Sequence, residues 1–177
     1  MTNGTLTSRP VEDADIPILC GFPASLDELS FMFPNAAFPL TAEVLRNAIT
    51  EREDSTVVCI DDAVAGFANF YGCATGESCS IGNVIVDPAQ RGKGVARFLI
   101  GTMINIAAEK HRAKRVKLVC FNSNVGGLLL YTKLGFKPYA IEGRVDPQGA
   151  RVAIIRMALS IDGKTADPGF AEGKSGN

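Results

Sequence analysis

Two glycines and three basic residues are concentrated in one short stretch near the middle of the chain. They are Arg91, Gly92, Lys93, Gly94 and Arg97. The stretch follows an apolar, β-branched run that predicts a strand and opens a long amphipathic run that predicts a helix. The first N–H groups of a helix lack internal partners and carry partial positive charge, and glycines let a ligand approach the backbone. This combination predicts a binding site for a phosphate or pyrophosphate.

Spacing argues against two common phosphate-binding motifs. A Walker-type loop requires Gly-Lys-Ser/Thr, but Lys93 is followed by Gly94. A dinucleotide fingerprint requires a third glycine where Arg97 stands, and the next predicted strand does not end in a ribose-binding acid. A nucleotide-binding oxidoreductase therefore remains only a minor alternative. The pattern that is left is Arg91-x-x-Gly94-x-Ala96.

This pattern resembles the pyrophosphate-binding motif R/Q-x-x-G-x-G/A of the GNAT superfamily of acetyl-CoA-dependent N-acetyltransferases. A second segment resembles that family's motif N-x-x-A-x-x-L-Y-x-K-x-G-F, with Gly127 where alanine is preferred. Its matching residues are Asn124, Leu130, Tyr131, Lys133, Gly135 and Phe136. The resemblance covers roughly residues 56–159, and the first 50 residues match only loosely, as expected for a region that varies with the acceptor.

The resemblance implies an α/β, GNAT-like acyl-CoA N-acyltransferase fold. Its sheet is expected to be mixed and mostly antiparallel, with six or seven strands, flanking helices and a splayed central strand pair. The implied activity is direct transfer of an acetyl group from acetyl-CoA to a primary amine of a small molecule or peptide. No metal and no covalent enzyme intermediate are expected. An acyl-CoA-binding sensor or interaction module without turnover stays open as an alternative.

The resemblance also implies which residues bind the cofactor. Strand backbone groups would pair with the pantetheine arm, amides of the loop and first helical turn would hold the pyrophosphate, and an asparagine would contact the arm. These residues are Val84, Ile85, Val86, Arg91, Gly92, Lys93, Gly94, Val95, Ala96, Arg97 and Asn124. The asparagine could instead only cap its helix.

Tyr131 is the implied catalytic residue, as the proton donor to the departing thiolate. It follows Asn124 by seven residues, about two helical turns, so the two side chains share a face. A phenol with an ordinary pKa of about 10 is protonated at neutral pH. A packing role alone is the alternative for Tyr131.

A general base is harder to place. Residues 78–86 and 116–121, the two predicted strands nearest the loop, contain no Asp or Glu. Glu77 and Glu142 are the nearest candidates, and proton loss through ordered water is the favoured route. Cys120 is the nearest rival nucleophile, but it has no predicted histidine partner.

The element order that positions these residues is predicted as β-α-α-β-β-β-α-β-α-β-β. A hairpin turns at Asp61 and Asp62, the long helix spans residues 94–111, a shorter helix ends at Gly135, and two antiparallel strands close the domain. Residues 1–160 are expected to form one domain and residues 161–177 a disordered tail.

Charge is divided unevenly along the 177 residues, although the net charge is −1. Residues 1–90 hold 13 acids and 3 bases, whereas residues 91–177 hold 15 bases and 6 acids. The near-neutral total argues against a uniformly basic nucleic-acid binder. The basic middle contains both motifs and suits a phosphate-rich ligand, and the acidic front hints at a cationic acceptor.

Whole-chain signals predict a cytoplasmic protein without membrane or nucleic-acid partners, and a homodimer stays open. No run approaches the roughly 18 apolar residues of a membrane span. The five cysteines are scattered and expected to be free thiols. The single histidine, His111, is expected to be exposed or to cap a helix end, so no zinc site is expected.

Overall fold

The computed structural model describes residues 4–146 and 148–161, and over these residues it contains one seven-stranded sheet and five α-helices. The strands are β1 (Leu6–Pro10), β2 (Glu53–Ile60), β3 (Ala63–Ala74), β4 (Ser78–Val86), β5 (Arg115–Phe121), β6 (Lys137–Val145) and β7 (Arg151–Ser160). The α-helices are α1 (Ile16–Cys20), α2 (Leu26–Met32), α3 (Ala42–Glu51), α4 (Val95–Glu109) and α5 (Val125–Lys133). The predicted disordered tail lies outside the described residues from position 162 onward.

The strands lie in the order β1-β2-β3-β4-β5-β7-β6. The β4–β5 pair is parallel, and the other recorded pairs are antiparallel. The predicted mixed, mostly antiparallel sheet is therefore confirmed. The last strand, β7, pairs with both β5 and β6 and so lies between them.

The parallel pair is short compared with the strands that form it. Residues Ser78, Cys79 and Ser80 of β4 pair with Arg115, Val116 and Lys117 of β5. Strand β4 continues to Val86 and β5 to Phe121 without further recorded pairing between them in the described part of the chain. The two strands therefore diverge toward their carboxyl ends, which confirms the predicted splayed pair.

The helices cover both faces of the sheet. Helix α4 packs against one face through Val95, Leu99, Met103 and Ala107, which are all buried and recur every three or four residues. Helices α1 to α3 cover the other face over β2, β3 and β4. Fully burying one such aliphatic side chain stabilises the fold by about 1.5–3 kcal/mol. The predicted apolar stripe of α4 is thus a core surface.

The region before β2 contains one more helix than predicted. Residues 21–40, predicted to be irregular or broken helix, contain α2, whose N-cap Ser25 accepts a hydrogen bond from the Glu28 amide at 3.2 Å. Pro23 and Pro34 lie on either side of this helix and limit its length. Among the described residues, none of the helices has the length and apolar content needed to cross a bilayer.

Candidate active site

The loop between β4 and α4 depends on two glycines with positive φ. Gly92 has φ +78° and Gly94 has φ +84°, a region that costs side-chain-bearing residues about 1–2 kcal/mol. A Cβ added at either position would meet no atom within 4 Å. The glycines are therefore required by the backbone conformation and not by crowding, and open space lies beside both of them.

Helix α4 begins at this loop with outward-facing amides. Gly94 is the N-cap and accepts the first intrahelical bond, from the Phe98 amide at 3.0 Å. The Val95 and Ala96 amides precede that bond, so they lie among the N–H groups that a helix cannot satisfy internally. Val95 is itself buried against the sheet and fixes the helix end in place. These helix amides, Lys93 and Arg97 lie on the same stretch, which is the arrangement that the phosphate-site prediction requires.

A bulge in β4 lies just where this strand leaves β5. Pairing with β3 shifts by one residue between Asn69↔Gly82 and Phe67↔Ile85, and Asn83 has φ +48°. A bulge bends its strand and re-aims the residues that follow, which here are Val84 and its neighbours. Sequence reasoning missed this bulge, although a Gly-Asn pair inside a strand is a signal for one, since both residues tolerate positive φ.

The buried side chain of Asn83 secures the bulge. Its Nδ2 donates to the Met32 carbonyl of α2 at 2.7 Å, and its Oδ1 accepts from Arg52. Arg52 also donates to Asn69 at 3.3 Å, and burial lowers the pKa of this guanidinium. We call these hydrogen bonds among Asn83, Met32, Arg52 and Asn69 the Asn83 clamp. The clamp joins α2, β3 and β4 close to the point where β4 and β5 separate.

A cleft of about 290 Å³ opens beside the part of β4 that has diverged from β5, and residues of α2, β4, α4 and α5 line it. It brings together six residues predicted from the sequence to bind the cofactor, and also the predicted catalytic tyrosine. These are Val84, Ile85, Val86, Arg91, Ala96, Asn124 and Tyr131. The other five residues predicted to bind the cofactor do not line the cleft but lie on the adjoining loop and first helical turn. They are Gly92, Lys93, Gly94, Val95 and Arg97. A larger cavity of about 670 Å³, near Lys117 and Lys137, contains none of the predicted site residues.

Tyr131 lies at the closed side of the cleft. Its side chain is buried, packs edge-on against Phe136 at 6.0 Å between ring centroids, and lines the cavity. Burial raises the pKa of Tyr131 well above the ordinary phenol value, and the nearby Cys120 adds to this. The phenol is therefore fully protonated at neutral pH, as a proton donor must be.

Cys120 lies on β5 close to the same tyrosine. Burial raises the pKa of Cys120 to about 11, so the thiol is almost entirely protonated near pH 7. His111, the only histidine, is bonded to Asp54 at 2.6 Å and not to this thiol. These properties agree with the expectation that Cys120 is not a nucleophile.

Asn124 both lines the cleft and caps α5. Its Oδ1 accepts a hydrogen bond from the Gly127 amide at 2.9 Å. A Cβ on Gly127 would lie 2.8 Å from the Asn124 Nδ2, so glycine leaves room for this cap. Asn124 therefore caps α5, and its Nδ2 retains hydrogen-bonding capacity beyond the cap.

An ion pair connects Arg91 to the opposite wall of the cleft. The two guanidinium nitrogens of Arg91 donate to the two carboxylate oxygens of Glu28 on α2, at 2.7 and 2.9 Å. The bonds from Arg91 hold the pKa of Glu28 below its ordinary value. Sequence reasoning noticed Glu28 only as part of the acidic front, because its partner lies 63 residues away.

The two predicted general-base candidates lie away from this cleft. Glu77 precedes the first residue of β4, about seven residues or roughly 23 Å of strand from Val84. Glu142 is exposed on the edge strand β6 and is bonded to Arg156 at 2.5 and 3.1 Å. Glu28 is the carboxylate among the residues that line the cleft, and its pairing with Arg91 makes it a weak base.

A second, smaller cavity of about 180 Å³ adjoins the cleft at Phe31, which lines both. Phe31 packs against Phe121 with 6.0 Å between ring centroids. The small cavity also has Asp27 on α2, Asp146 at the β6–β7 turn and one cation, Arg144 of β6, among its lining residues, so its carboxylates outnumber its cations by one. Aromatic walls and carboxylates suit a cationic, partly apolar guest.

The fold and the cleft are those expected of an acyltransferase, and comparison with known proteins identifies the family. The chain matches the Acetyltransferase (GNAT) family over residues 23–136. This chain therefore belongs to the GNAT family and is an acetyltransferase.

Individual relatives agree with this assignment. A spermine/spermidine N(1)-acetyltransferase from Bacillus subtilis is 28% identical over 143 residues, which cover 68% of this chain and 91% of the relative. Spermidine N-acetyltransferase from Vibrio cholerae, solved with CoA and spermine, has a TM-score of 0.73 at 21% identity and covers 88% and 95%. An acetyltransferase from Salmonella typhimurium, solved with its cofactor acetyl-CoA, has a TM-score of 0.67 at 19% identity and covers 92% and 98%.

Proposed function

We propose that the chain transfers the acetyl group of acetyl-CoA directly to a primary amine in the cleft beside β4, where this strand diverges from β5. The observation that supports this best is the divergence of the parallel pair beside the Gly92–Gly94 loop. Strand divergence leaves β4 backbone groups without a β5 partner, and the loop offers an anion site at the same end. A thioester on an extended arm behind a pyrophosphate has the shape and charge that such a site accepts.

The cofactor lies along β4 and ends at the N-terminus of α4. Backbone groups of Val84, Ile85 and Val86 hydrogen-bond the pantetheine arm in the manner of an added strand. The amides of residues 92–97 hold the pyrophosphate, and Lys93 adds charge at the same place. Asn124 contacts the pantetheine arm through its side-chain Nδ2, which the helix cap does not use.

Transfer follows from the placement of the reacting groups. The neutral amine nitrogen attacks the thioester carbonyl carbon, a C–N bond forms and the C–S bond breaks. Tyr131 gives its proton to the departing thiolate, the amine nitrogen loses a proton to water, and a proton from water restores the Tyr131 phenol. Held at the right distance, two reactants gain a large effective concentration, and backbone N–H groups stabilise the developing oxyanion. In this scheme water takes the proton of the amine, and no side chain of the cleft acts as base.

The acceptor is a cationic di- or polyamine that enters through the small cavity at Phe31. Asp27 and Asp146 outweigh Arg144 there and leave a net negative charge. A long amine needs such charge at one end while its reacting nitrogen becomes neutral at the other. The polyamine substrates named for the B. subtilis and V. cholerae proteins support the same class.

A panel of amines tests the proposal. Thiol release from acetyl-CoA is measured with spermidine, spermine, a monoamine, lysine and a short peptide with a free N-terminus. We expect turnover to be fastest with the polyamines and to fall strongly in Tyr131→Phe. Tight binding of CoA without turnover on any amine would instead support a sensor or interaction module.

A further inference from the structure

A cluster of two cysteines and one histidine lies at the end of the molecule opposite the cleft. Cys73 near the end of β3 and Cys79 near the start of β4 are register partners and are joined by a disulfide. This corrects the expectation that all five cysteines are free. The ligand atoms of Cys73, Cys79 and His111 lie within 4.8 Å of one another. Three elements thus bring two sulfurs and one imidazole to a single point.

His111 is fixed in orientation by its neighbours. It is buried, so the expected exposure is wrong, although it does lie just beyond the C-terminal end of α4, and its ring lies edge-on to Phe70 at 5.7 Å. Its Nε2 lies 2.6 Å from one oxygen of Asp54, whose other oxygen is bonded to Lys110. The carboxylate occupies Nε2, so Nδ1 is the nitrogen that remains for another ligand.

Asp54 is suited to hold this imidazole. Its side chain is only 13% exposed, so its contacts to Lys110 and His111 are largely shielded from solvent. A carboxylate in this position can accept a hydrogen bond from Nε2 of the imidazole when Nδ1 binds a metal. Histidines that bind metals are commonly oriented by a carboxylate in this manner.

We propose that Cys73, Cys79 and His111 form a Zn(II) site when the disulfide is reduced. Two thiolates and one imidazole are soft and borderline ligands of the kind zinc prefers. Zn–S bonds of about 2.3 Å and a Zn–N bond of about 2.0 Å at tetrahedral angles place the ligand atoms roughly 3.5–3.8 Å apart. The observed limit of 4.8 Å leaves room for this geometry after the two sulfurs separate.

The fourth position is open to water. Cys79 and His111 are buried, whereas Cys73 is partly exposed, so solvent reaches the cluster from the Cys73 side. The site joins the β3–β4 turn to the C-terminal end of α4 and Asp54 at the start of β2. Bound zinc therefore stabilises this end of the fold.

The metal-bound and disulfide states exclude each other. Two equivalents of a thiol reductant convert the disulfide to two thiols and are themselves joined as a disulfide, which balances two electrons and two protons. Zinc then displaces the two thiol protons. An oxidant such as a small disulfide reverses the sequence and releases the metal.

The cluster is separate from acetyl transfer. The Gly94 loop lies at the N-terminus of α4 and His111 just beyond its C-terminus, and a helix of 15 residues is about 22 Å long. A failure of the zinc proposal therefore leaves the proposed acetyl transfer untouched, and the reverse also holds.

Metal titration of the reduced protein tests the site. The full chain is reduced with a phosphine, freed of reductant without oxygen, and titrated with Zn(II) against a chromophoric chelator. Co(II) serves as a spectroscopic probe in a parallel titration. We expect one metal per chain, with thiolate-to-Co(II) charge-transfer absorption and the intense d–d bands of a tetrahedral site.

Variants identify the ligands. Cys73→Ser and His111→Gln should weaken zinc binding at least 100-fold, and Asp54→Asn should weaken it by 10- to 100-fold through the loss of imidazole orientation. Cys20→Ser, which changes a partly exposed free cysteine of α1, is the matched control and should bind like the parent. Circular dichroism of each variant confirms that the fold is retained.

Two results would overturn the proposal. One is a reduced parent protein that binds no more zinc than Cys73→Ser. The other is a Co(II) spectrum without thiolate charge transfer. The oxidised protein should take up no zinc, and equal uptake before and after oxidation would also contradict the assigned ligands.

Discussion

Arg91 and Glu28 form a bidentate ion pair across the cleft, with N–O distances of 2.7 and 2.9 Å. The arginine belongs to the loop proposed to bind pyrophosphate, so its positive charge is neutralised at the place where the cofactor's phosphates are expected. Phosphate and carboxylate compete for the same planar guanidinium. We therefore expect the cofactor's phosphates to compete with Glu28 for Arg91.

Removing the carboxylate should strengthen cofactor binding. Glu28→Gln leaves Arg91 without its charged partner, and we expect the KM for acetyl-CoA to fall roughly 3- to 10-fold, about 0.6–1.4 kcal/mol. Steady-state kinetics with acetyl-CoA as the varied substrate measures this. The neighbouring Asp27→Asn is the control, since Asp27 lies at the small cavity, and its KM for acetyl-CoA should not change. A higher KM in Glu28→Gln would show that the pair supports the bound state instead.

Negative charge at Gly94 should oppose pyrophosphate binding. Asp and Asn both tolerate positive φ better than other residues with side chains, so either can replace a glycine with φ +84°. We expect Gly94→Asp to raise the apparent KM for acetyl-CoA at least 10-fold. The isosteric, neutral Gly94→Asn should raise it far less. Equal KM values for the two variants would place the phosphates elsewhere.

The Asn83 clamp should matter for both stability and binding. Asn83→Gly preserves the positive φ but removes the hydrogen bonds to Met32 and Arg52, leaving buried polar groups unpaired. We expect a loss of about 2–4 kcal/mol in the free energy of unfolding, measured by urea denaturation. Gly143→Ala, at a position with open space around it, is the control and should change stability little. A stability equal to the parent would mean that the bulge does not need its clamp.

Tyr131→Phe should lower kcat by about 10²- to 10⁴-fold, the usual contribution of a general acid, with little change in the KM for acetyl-CoA. Burial holds the pKa of Tyr131 above the ordinary phenol value, so the phenol stays protonated through the whole range in which the amine acceptor loses its proton. The parent rate should therefore rise from pH 7 toward pH 10 without a falling limb. A decline between pH 8 and 9.5 would contradict a buried, protonated phenol in this role, provided circular dichroism shows the fold intact.

The ion pair between Arg9 and the buried Asp15 makes the free energy of unfolding depend on pH. The hydrogen bond from Arg9 lowers the pKa of the buried Asp15, with N–O distances of 2.6 and 2.8 Å. A depressed carboxyl pKa adds stability above the unfolded pKa of about 3.9, and this stability is lost as the pH falls through the lower folded pKa. Asp15→Asn should cost about 1–3 kcal/mol at pH 7, and the difference from the parent should shrink below pH 3.

Local patterns predicted much of the site. The strand before the glycine loop, the long helix after it and the helix that contains Tyr131 each follow from residues close in sequence. Gly135, with φ +91°, ends α5 in the expected way. These elements depend on propensity and on burial of one face, which a single stretch of sequence records.

The rest depends on contacts between distant residues. The insertion of β7 between β5 and β6, the Glu28–Arg91 pair and the His111–Asp54 pair join segments 57 or more residues apart or change strand order. The hydrophobic periodicity of a local segment does not indicate which carboxylate pairs with which basic side chain. The bulge at Asn83 is predictable in part. The local sequence permits positive φ, but the hydrogen-bond partner of Asn83 comes from α2, which is distant in sequence.

The most direct test of the central claim follows both products in one reaction. Parent protein, acetyl-CoA and spermidine are incubated together, and free CoA thiol and acetylated amine are quantified over time by absorbance and mass spectrometry. Direct transfer in the cleft predicts one acetylated amine for each thiol released, at a rate that Gly94→Asp and Tyr131→Phe both reduce. Thiol release without acetylated amine, or transfer that neither variant slows, would contradict it.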